Sequence, residues 1–139
     1  MKYEIDVTAR AEQAKAYFLD GYNCSQSVFM AYADLFDLDV ELASKLASSF
    51  GGGMGRLREV CGTCTGMFMV AGLLRGYSDT NDKEAKDNHY KLIQELANEF
   101  KSVFSSVLNT KPCFYSFDKF IILEIFIVFI IKIFFFFKN

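Results

Sequence analysis

The sequence predicts an all-α protein, a small bundle of about five helices. Apolar residues recur at three- and four-residue spacing along most of the chain, which is the helical period. No segment keeps the two-residue alternation of a half-buried strand for long. The only proline, Pro112, lies outside every predicted helix. These three observations favour helices over strands.

The composition is that of a globular chain without a nucleic-acid partner. Hydrophobic residues make up 52% of the 139 positions, and the formal net charge is -2. No stretch combines clustered Lys and Arg with aromatic residues, as a nucleic-acid-binding surface would. The first residues include acids and no apolar run, so no secretory signal is predicted and the cytoplasm is the expected location. Cysteines in that reducing setting are more often catalytic, redox-active or metal-binding than structural.

The first two predicted helices are defined by their caps. Thr8 is the predicted N-cap of the first helix, and Gly21 ends it. Asn23 is the predicted N-cap of the second, which is expected to run to about Phe36.

A third helix is predicted over residues 40–50, with Gly51 as its end. Its larger apolar side chains recur every four residues and therefore share one face: Leu42, Leu46 and Phe50.

Two further helices follow the glycine-rich stretch. The fourth, from about Leu57 to Gly76, is apolar nearly all round and is therefore the predicted central, most buried helix. Asp82 is the predicted N-cap of the fifth helix. The apolar positions predicted on one face of this fifth helix are Tyr90, Ile93, Leu96, Ala97, Phe100 and Phe104.

The C-terminal end has a different composition. Residues 120–137 are apolar except for Glu124 and Lys132, and as a helix they would span about 27 Å, close to the core of a bilayer. One interpretation is a membrane anchor or an extra packing helix. The other is foreign sequence, because nearly every residue from 117 to 139 can be encoded with A and T alone, as in a shifted reading frame. The predicted organisation is a helical cysteine-containing domain over residues 1–109 and a hydrophobic tail over residues 110–139.

A C-x-x-C pair, Cys61 and Cys64, is the first candidate for chemistry. Residues three apart on a helix share a face, so both sulfurs could meet one disulfide or one metal ion. Such a pair lowers the pKa of its more exposed thiol, and the thiolate is the reactive form. The alternative is that both are ordinary small core residues.

Cys24 is the second candidate. With Asn23 as N-cap, Cys24 falls in the first turn of a helix, where free amides and the helix dipole favour a thiolate. The alternative interpretation is that Cys24 continues an apolar stripe with Val28.

The glycine run before the C-x-x-C pair is predicted to support this site. It is neither a Walker loop, since no Gly-Lys-Ser/Thr follows, nor a dinucleotide fingerprint, since no strand precedes it. Its glycines allow two helices to meet closely, and Arg56 would add positive charge near Cys61. The supporting residues predicted on this basis are Gly51, Gly52, Gly53, Gly55, Arg56, Gly62 and Gly66.

Three motifs carry a resemblance to a known family. G-Y-N-C-S-Q-S-V, F-G-G-G-M-G-R and E-V-C-G-T-C-T-G occur in this order and resemble the redox-active family named for its cysteine pattern, C-GCAxxG-C-C. The resemblance extends over about residues 8–104. It implies a small helical protein with four characteristic cysteines that performs thiol or selenol redox chemistry. By position, Cys24 matches the family's first cysteine and Cys61 the cysteine of its C-G-A-x-x-G block, where Thr63 replaces the usual alanine.

The C-terminal end departs from the family pattern. A family cysteine usually follows the fifth helix, where this chain has Val107, Leu108 and Asn109. Cys113 lies in surroundings similar to those of the last family cysteine. The four cysteines of this chain are therefore not the four of the family, and its C-terminal end is atypical.

The function predicted from these features is thiol-disulfide exchange. Cys24 and Cys61 form the reacting pair and Cys64 is a candidate resolving cysteine, with a redox protein or a small thiol or disulfide as partner and no cofactor required. One alternative is a metal- or iron-sulfur-binding module with ligands among Cys24, Cys61, Cys64 and Cys113. Another is a membrane-associated interaction protein that uses residues 120–137. Close helix packing at the glycines is compatible with a homodimer.

Overall fold

The computed structural model describes residues 5–108, and within them the chain is helical and has no β-strand. Its α-helical elements are α1 (Val7–Leu19), α2 (Cys24–Met30), α3 (Val40–Ala47), α4 (Gly51–Met54), α5 (Gly62–Arg75) and α6 (Lys83–Phe104), with 3-10 turns at Ala33–Phe36 and Ser48–Phe50. Because α4 is a single turn with a left-handed backbone, the described part contains five right-handed α-helices of seven or more residues. The predicted all-α fold of about five helices is confirmed. The extra helix predicted in the tail lies outside the described residues.

The N-cap of α1 is Asp6, so the prediction of Thr8 was wrong. The Asp6 carboxylate accepts a hydrogen bond from the backbone N–H of Ala9 at 3.0 Å, and Thr8 lies within the first turn. Asp and Thr are both good N-caps, and here the carboxylate two positions earlier begins the helix.

The N-cap of α2 is Asn23, as predicted. Asn23 Oδ1 accepts from the backbone N–H of Gln26 at 2.9 Å, and Gln26 Oε1 accepts from the backbone N–H of Asn23 at 3.0 Å. This reciprocal pair is a capping box, which satisfies two amides that the helix cannot bond internally.

The helix α2 ends at Met30, earlier than the predicted Phe36. Arg10 of α1 donates from its guanidinium to the carbonyl of Ala31 at 2.9 Å. An uninterrupted α-helix would offer that carbonyl to Leu35, whose amide bonds instead to the carbonyl of Tyr32 at 3.1 Å. The chain therefore continues as a 3-10 turn, and α1 is tied to the end of α2.

The apolar face of α3 does not point into the core. Leu42 and Leu46 are 48% and 49% exposed, whereas Ala43 and Ala47 are fully buried. The side chain of Gln26 in α2 donates to the carbonyl of Ser44 at 3.1 Å. Because the small alanines face inward, the backbone of α3 can approach α2 closely. The helical run ends in a 3-10 turn before Gly51, in agreement with its predicted end.

The helix α5 begins at Gly62, five positions later than the predicted start at Leu57. The backbone N–H of Cys61 donates to the carbonyl of Val107 at 2.8 Å, and Val60 and Leu108 form an antiparallel bridge. This pairing with the chain that follows α6 holds residues 60–61 extended, so the helix cannot start before them.

The helix α5 contributes to both hydrophobic clusters of the described residues. Val70 belongs to a cluster with buried residues of α1, α2 and α3, and Met67 and Ala71 belong to a second cluster with Leu92, Leu96 and Phe100 of α6. The N-cap of α6 is Asp82, as predicted, and its carboxylate accepts from the N–H of Ala85 at 2.9 Å. No helix within residues 5–108 is long and apolar enough to cross a membrane. The predicted anchor at residues 120–137 lies outside that range.

Candidate functional site

The three described cysteines occupy the first turns of two helices. Cys24 is the first residue of α2, Cys61 is the N-cap of α5, and Cys64 lies in the first turn of α5. All three side chains are buried, with relative exposures of 2%, 1% and 0%. Cys113 lies outside the described residues. The C-x-x-C pair is thus placed at the start of a helix, with only Cys64 inside it.

The N-termini of α2 and α5 meet at Gly62. A β-carbon added to Gly62 would lie 2.3 Å from the sulfur of Cys24, 3.0 Å from the carbonyl oxygen of Phe50 and 3.1 Å from the amide nitrogen of Ser25. Such distances leave no room for a side chain, so the sulfur of Cys24 contacts the residue that follows Cys61. The structure therefore brings Cys24 beside the C-x-x-C pair, although the two are far apart in the chain. We refer to this contact region, formed by Cys24, Ser25, Cys61, Gly62 and Thr63, as the cysteine junction.

The oxidation states of the three cysteines differ. Cys61 is disulfide-bonded, and Cys24 and Cys64 are free thiols, so neither of them is the partner of Cys61. The predicted Cys24–Cys61 pair is therefore adjacent through Gly62 without a bond between the two sulfurs. A direct bridge between them stays a prediction.

The N-terminus of α5 is buried and uncapped. No side chain within residues 5–108 caps it, and the first amide that bonds back into the helix is that of Thr65, to the carbonyl of Cys61 at 3.1 Å. The amides of Gly62, Thr63 and Cys64 therefore have no acceptor within the helix, and all three residues are buried. Together with the helix dipole, these amides make the junction favourable for a negative charge.

Cys64 has a different environment from the other two. It belongs to the hydrophobic cluster that contains Met67 of α5 and Leu92 and Leu96 of α6. Burial raises the pKa of the Cys64 thiol to about 12, and the charge of Lys101 lowers it only in part. Cys64 is thus a protonated thiol at neutral pH in this state. Its predicted role as resolving cysteine stays a prediction.

The glycine run forms a left-handed turn. Positive φ angles occur at every residue from 52 to 56: Gly52 67°, Gly53 75°, Met54 65°, Gly55 67° and Arg56 69°, with Arg58 following at 64°. The amide of Arg56 closes the turn on the carbonyl of Gly51 at 3.2 Å. Only glycine adopts this conformation without steric cost, which explains why glycines are frequent in this turn. The backbone is strained at Met54, Arg56 and Arg58, which have a β-carbon. The sequence could not reveal that Met54, Arg56 and Arg58 share this conformation.

The glycine run packs on the start of α2. A β-carbon on Gly51 would lie 2.5–2.6 Å from side-chain atoms of Asn23, the N-cap of that helix. Farther along α5, a β-carbon on Gly66 would lie 2.9 Å from the carbonyl oxygen of Ser25 and from the β-carbon of Val28. Gly51, Gly62 and Gly66 are therefore positions of close backbone approach, as the sequence suggested.

Arg56 and Arg58 are exposed, and neither forms an ion pair within the described residues. The predicted support of Cys61 by Arg56 stays a prediction. Sequence reasoning missed Ser25 and Thr63, two buried residues of the cysteine junction. The sequence feature that could have pointed to them is their position, because each is the second residue of a helix that begins at the junction.

The metal-binding alternative would need a preformed group of ligands, which residues 5–108 do not contain. Within residues 5–108, no group of three or more His, Cys, Asp or Glu side chains is arranged to hold a metal ion.

The fold and the junction together define a small all-α protein whose cysteines lie where two helix N-termini converge. The chain belongs to the family described as "Putative redox-active protein (C_GCAxxG_C_C)", whose pattern matches residues 22–112. That range contains Cys24, the glycine run and the C-x-x-C pair, so the match covers the whole junction. The resemblance seen in the three motifs is confirmed. No curated protein and no solved structure matches the chain.

Proposed function

We propose that this protein carries out thiol-disulfide exchange, with Cys61 and Cys24 as the reacting pair. The observation that carries the proposal is the contact between the sulfur of Cys24 and Gly62, the residue that follows Cys61. Consecutive α-carbons are about 3.8 Å apart, so this contact keeps the Cys24 sulfur within a short movement of Cys61. Membership of a family described as redox-active supports the same chemistry.

The electrostatics of the junction favour the thiolate that exchange requires. Cys61 is the N-cap of α5, and the buried amides of Gly62 and Thr63 have no acceptor within the helix. A thiolate at a helix N-terminus is stabilised by such amides and by the dipole. Burial acts in the opposite direction, so the reaction needs an opening that exposes the sulfurs to a substrate.

The exchange consists of two displacements at sulfur. The thiolate of Cys61 attacks one sulfur of a substrate disulfide, forms a mixed disulfide and releases the other substrate sulfur as a thiolate. The thiolate of Cys24 then attacks the sulfur of Cys61, forms the Cys24–Cys61 disulfide and releases the second substrate thiolate. The substrate disulfide gains two electrons, the protein loses two, and both released thiolates take up protons from water.

We assign the resolving step to Cys24, whose sulfur contacts Gly62, and not to Cys64. Burial raises the pKa of Cys64 to about 12, so very little Cys64 thiolate exists at neutral pH. The substrate is a disulfide of a redox protein or of a small thiol, and the reaction needs no cofactor.

The test measures exchange by the full chain and identifies the bridges that form. The reduced protein is mixed with oxidised glutathione, and the products are trapped by acid and alkylation and identified by peptide mass spectrometry. We expect a Cys24–Cys61 disulfide in the wild type, no mixed disulfide in Cys61→Ser, and a persistent mixed disulfide on Cys61 in Cys24→Ser.

Two control variants make the result specific. Cys64→Ser is expected to keep the exchange rate of the wild type, and Cys113→Ser shows whether the remaining cysteine takes part. If Cys24→Ser exchanges as fast as the wild type without accumulating a mixed disulfide, Cys24 is not the resolving residue and the proposal fails.

A further inference from the structure

Two buried hydroxyl groups at the cysteine junction have no hydrogen-bond partner among residues 5–108. Ser25 is fully buried and Thr63 is 6% exposed, and neither Ser25 Oγ nor Thr63 Oγ1 has a partner in the part of the chain that the structure describes. A buried hydroxyl without a partner destabilises a fold, because it has lost its bonds to water and gained none. Two such groups lie in the same contact region. We therefore expect their hydrogen-bond acceptor to form only when the site changes its chemical state.

Neighbouring hydroxyls on the same two helices are satisfied. Ser27 is also fully buried, and its hydroxyl donates to the carbonyl of Asn23 at 2.8 Å. The hydroxyl of Thr65 donates to the carbonyl of Gly62 at 3.1 Å. Both bonds run back along the helix by three or four residues, the usual route for Ser and Thr.

Ser25 and Thr63 cannot use that route. Each is the second residue of its helix, so the residues three and four positions earlier precede the helix start. Their hydroxyls therefore depend on an acceptor from outside their own helix. At the junction Ser25 directly follows Cys24, and its amide nitrogen would lie 3.1 Å from a β-carbon on Gly62. Thr63 directly follows Gly62 and lies two positions after the N-cap residue Cys61.

We propose that Ser25 and Thr63 are positioning residues that donate hydrogen bonds to the thiolate formed at the cysteine junction. A protonated thiol is a weak acceptor, whereas a thiolate is a full negative charge and a strong one. The two hydroxyls thus complete a site at the N-terminus of α5, where the uncapped amides of Gly62 and Thr63 also favour an anion. This inference rests on the proposed thiol chemistry and adds two residues that stabilise its charged state.

The two roles that a buried hydroxyl could have differ in their effect on the thiol pKa. Removing an unpaired hydroxyl that has only a structural role leaves the protein as stable or more stable and leaves the thiols unchanged. Removing a donor to the thiolate also leaves the resting protein stable, but it raises the pKa of the thiol that the hydroxyl serves.

The experiment titrates the thiols of the reduced full-length protein by the ultraviolet absorbance of the thiolate, which needs no access to the sulfur. Each protein is compared with the same protein that also carries both Cys24→Ser and Cys61→Ser. The difference in absorbance between the two then comes from the sulfurs of Cys24 and Cys61. Ser25→Ala and Thr63→Val are each expected to raise the midpoint of the thiol titration by about one pH unit. At a pH below the midpoints of both wild type and variant, this shift lowers the thiolate population about tenfold. Their melting temperatures are expected to equal or exceed that of the wild type.

Ser27→Ala and Thr65→Val are the matched controls. Each removes a hydroxyl that already has a partner, so each is expected to lower the melting temperature and to leave the thiol midpoint unchanged. Unchanged midpoints in both Ser25→Ala and Thr63→Val overturn the inference. In that case wild-type exchange with oxidised glutathione still decides the proposed function separately, because it does not depend on either hydroxyl.

Discussion

The sulfur of Cys24 packs against Gly62, the residue that follows the N-cap Cys61, so closely that a β-carbon on Gly62 would lie 2.3 Å from it. This contact joins two helices that begin far apart in the sequence. It places a free thiol beside a cysteine that is itself disulfide-bonded. The arrangement depends on the absence of a side chain at position 62.

Gly62→Ala is expected to destabilise the protein by about 1–3 kcal/mol, because the added methyl overpacks the contact between α2 and α5. The carbonyl oxygen of Phe50, 3.0 Å from the new β-carbon, is backbone and cannot swing aside. Exchange with oxidised glutathione should slow as Cys24 is displaced. Denaturant unfolding with free-energy extrapolation measures the first effect.

Gly72→Ala in the same helix is the control for that change. Apart from its chain neighbours and the backbone of its own helix, a β-carbon on Gly72 meets no heavy atom of residues 5–108 within 4 Å. Alanine there should therefore stabilise the protein by about 0.4–1 kcal/mol through a lower entropy of the unfolded chain. Equal stabilities for Gly62→Ala and Gly72→Ala would contradict the close contact at Gly62.

Arg58→Gly is expected to raise the free energy of unfolding by up to about 1 kcal/mol. Arg58 has a φ of 64°, a region that costs a residue with a β-carbon about 1–2 kcal/mol and costs glycine very little. The larger entropy of glycine in the unfolded chain offsets part of this gain. Arg58→Ala removes the same guanidinium and retains the strain, so it should not be stabilised. A stabilised alanine variant would show that charge, not backbone conformation, is responsible.

The folded state should lose stability at alkaline pH. Burial raises the pKa of Cys64 from 9.0 to about 12 and also raises the pKa of Tyr32. Between about pH 9 and 12 the unfolded chain releases protons that the folded chain retains, so the stability present below pH 9 falls as pH rises. Denaturant unfolding at several pH values should show this decline.

Cys64→Ala and Tyr32→Phe separate the two contributions to that decline. Each substitution removes one titrating group and should flatten the pH dependence above pH 9, whatever it does to stability at pH 7. A slope in Cys64→Ala identical to that of the wild type would show that Cys64 is not the group whose protonation is linked to folding.

Asn23→Ala is expected to destabilise the protein by about 0.5–2 kcal/mol through loss of the N-cap of α2. The Asn23 side chain accepts from the amide of Gln26 at 2.9 Å and also donates to the carbonyl of Ser48 at 3.0 Å. Asn23→Asp keeps the acceptor and loses the donor, so its stability should lie between those of the wild type and Asn23→Ala. Thermal unfolding gives the order.

Asp39→Ala is a matched cap variant away from the cysteines. The Asp39 carboxylate accepts from the amide of Leu42 at 2.9 Å at the start of α3, so its loss should cost a similar free energy. Only Asn23→Ala should also speed alkylation of Cys24, the residue it directly precedes. An equal effect of both variants on Cys24 would indicate general loosening of the fold.

Short-range features were predictable because their partners lie close in the chain. The capping box of Asn23 and Gln26 spans three residues, and Asp82 reaches the amide of Ala85 across the same interval. The spacing of apolar residues likewise predicted five helices. The close approach at Gly51, Gly62 and Gly66 was also predictable, because only glycine allows two backbones to come so near. The roles of the cysteines stay a prediction.

The long-range interactions decided where each helix ends and which face is covered. Arg10 takes the Ala31 carbonyl and ends α2 early, and the carbonyl of Val107 binds the amide of Cys61 and delays the start of α5. Leu42 and Leu46 looked like core positions by their spacing, yet the neighbouring alanines face α2. Hydrophobic periodicity describes a face of a helix and contains no information about which neighbour will cover it.

The sequence by itself determined the helical class, the family and the candidate cysteines of the proposed site. Only the tertiary structure decided that Cys24 meets Gly62, that Cys61 is an N-cap, and that the buried hydroxyls of Ser25 and Thr63 have no partner within the described range 5–108. The physical reason is that local hydrogen bonds and apolar spacing depend on neighbours in the chain. The reactivity of a thiol depends instead on burial, amides and charges that come from distant segments and meet only when the chain folds.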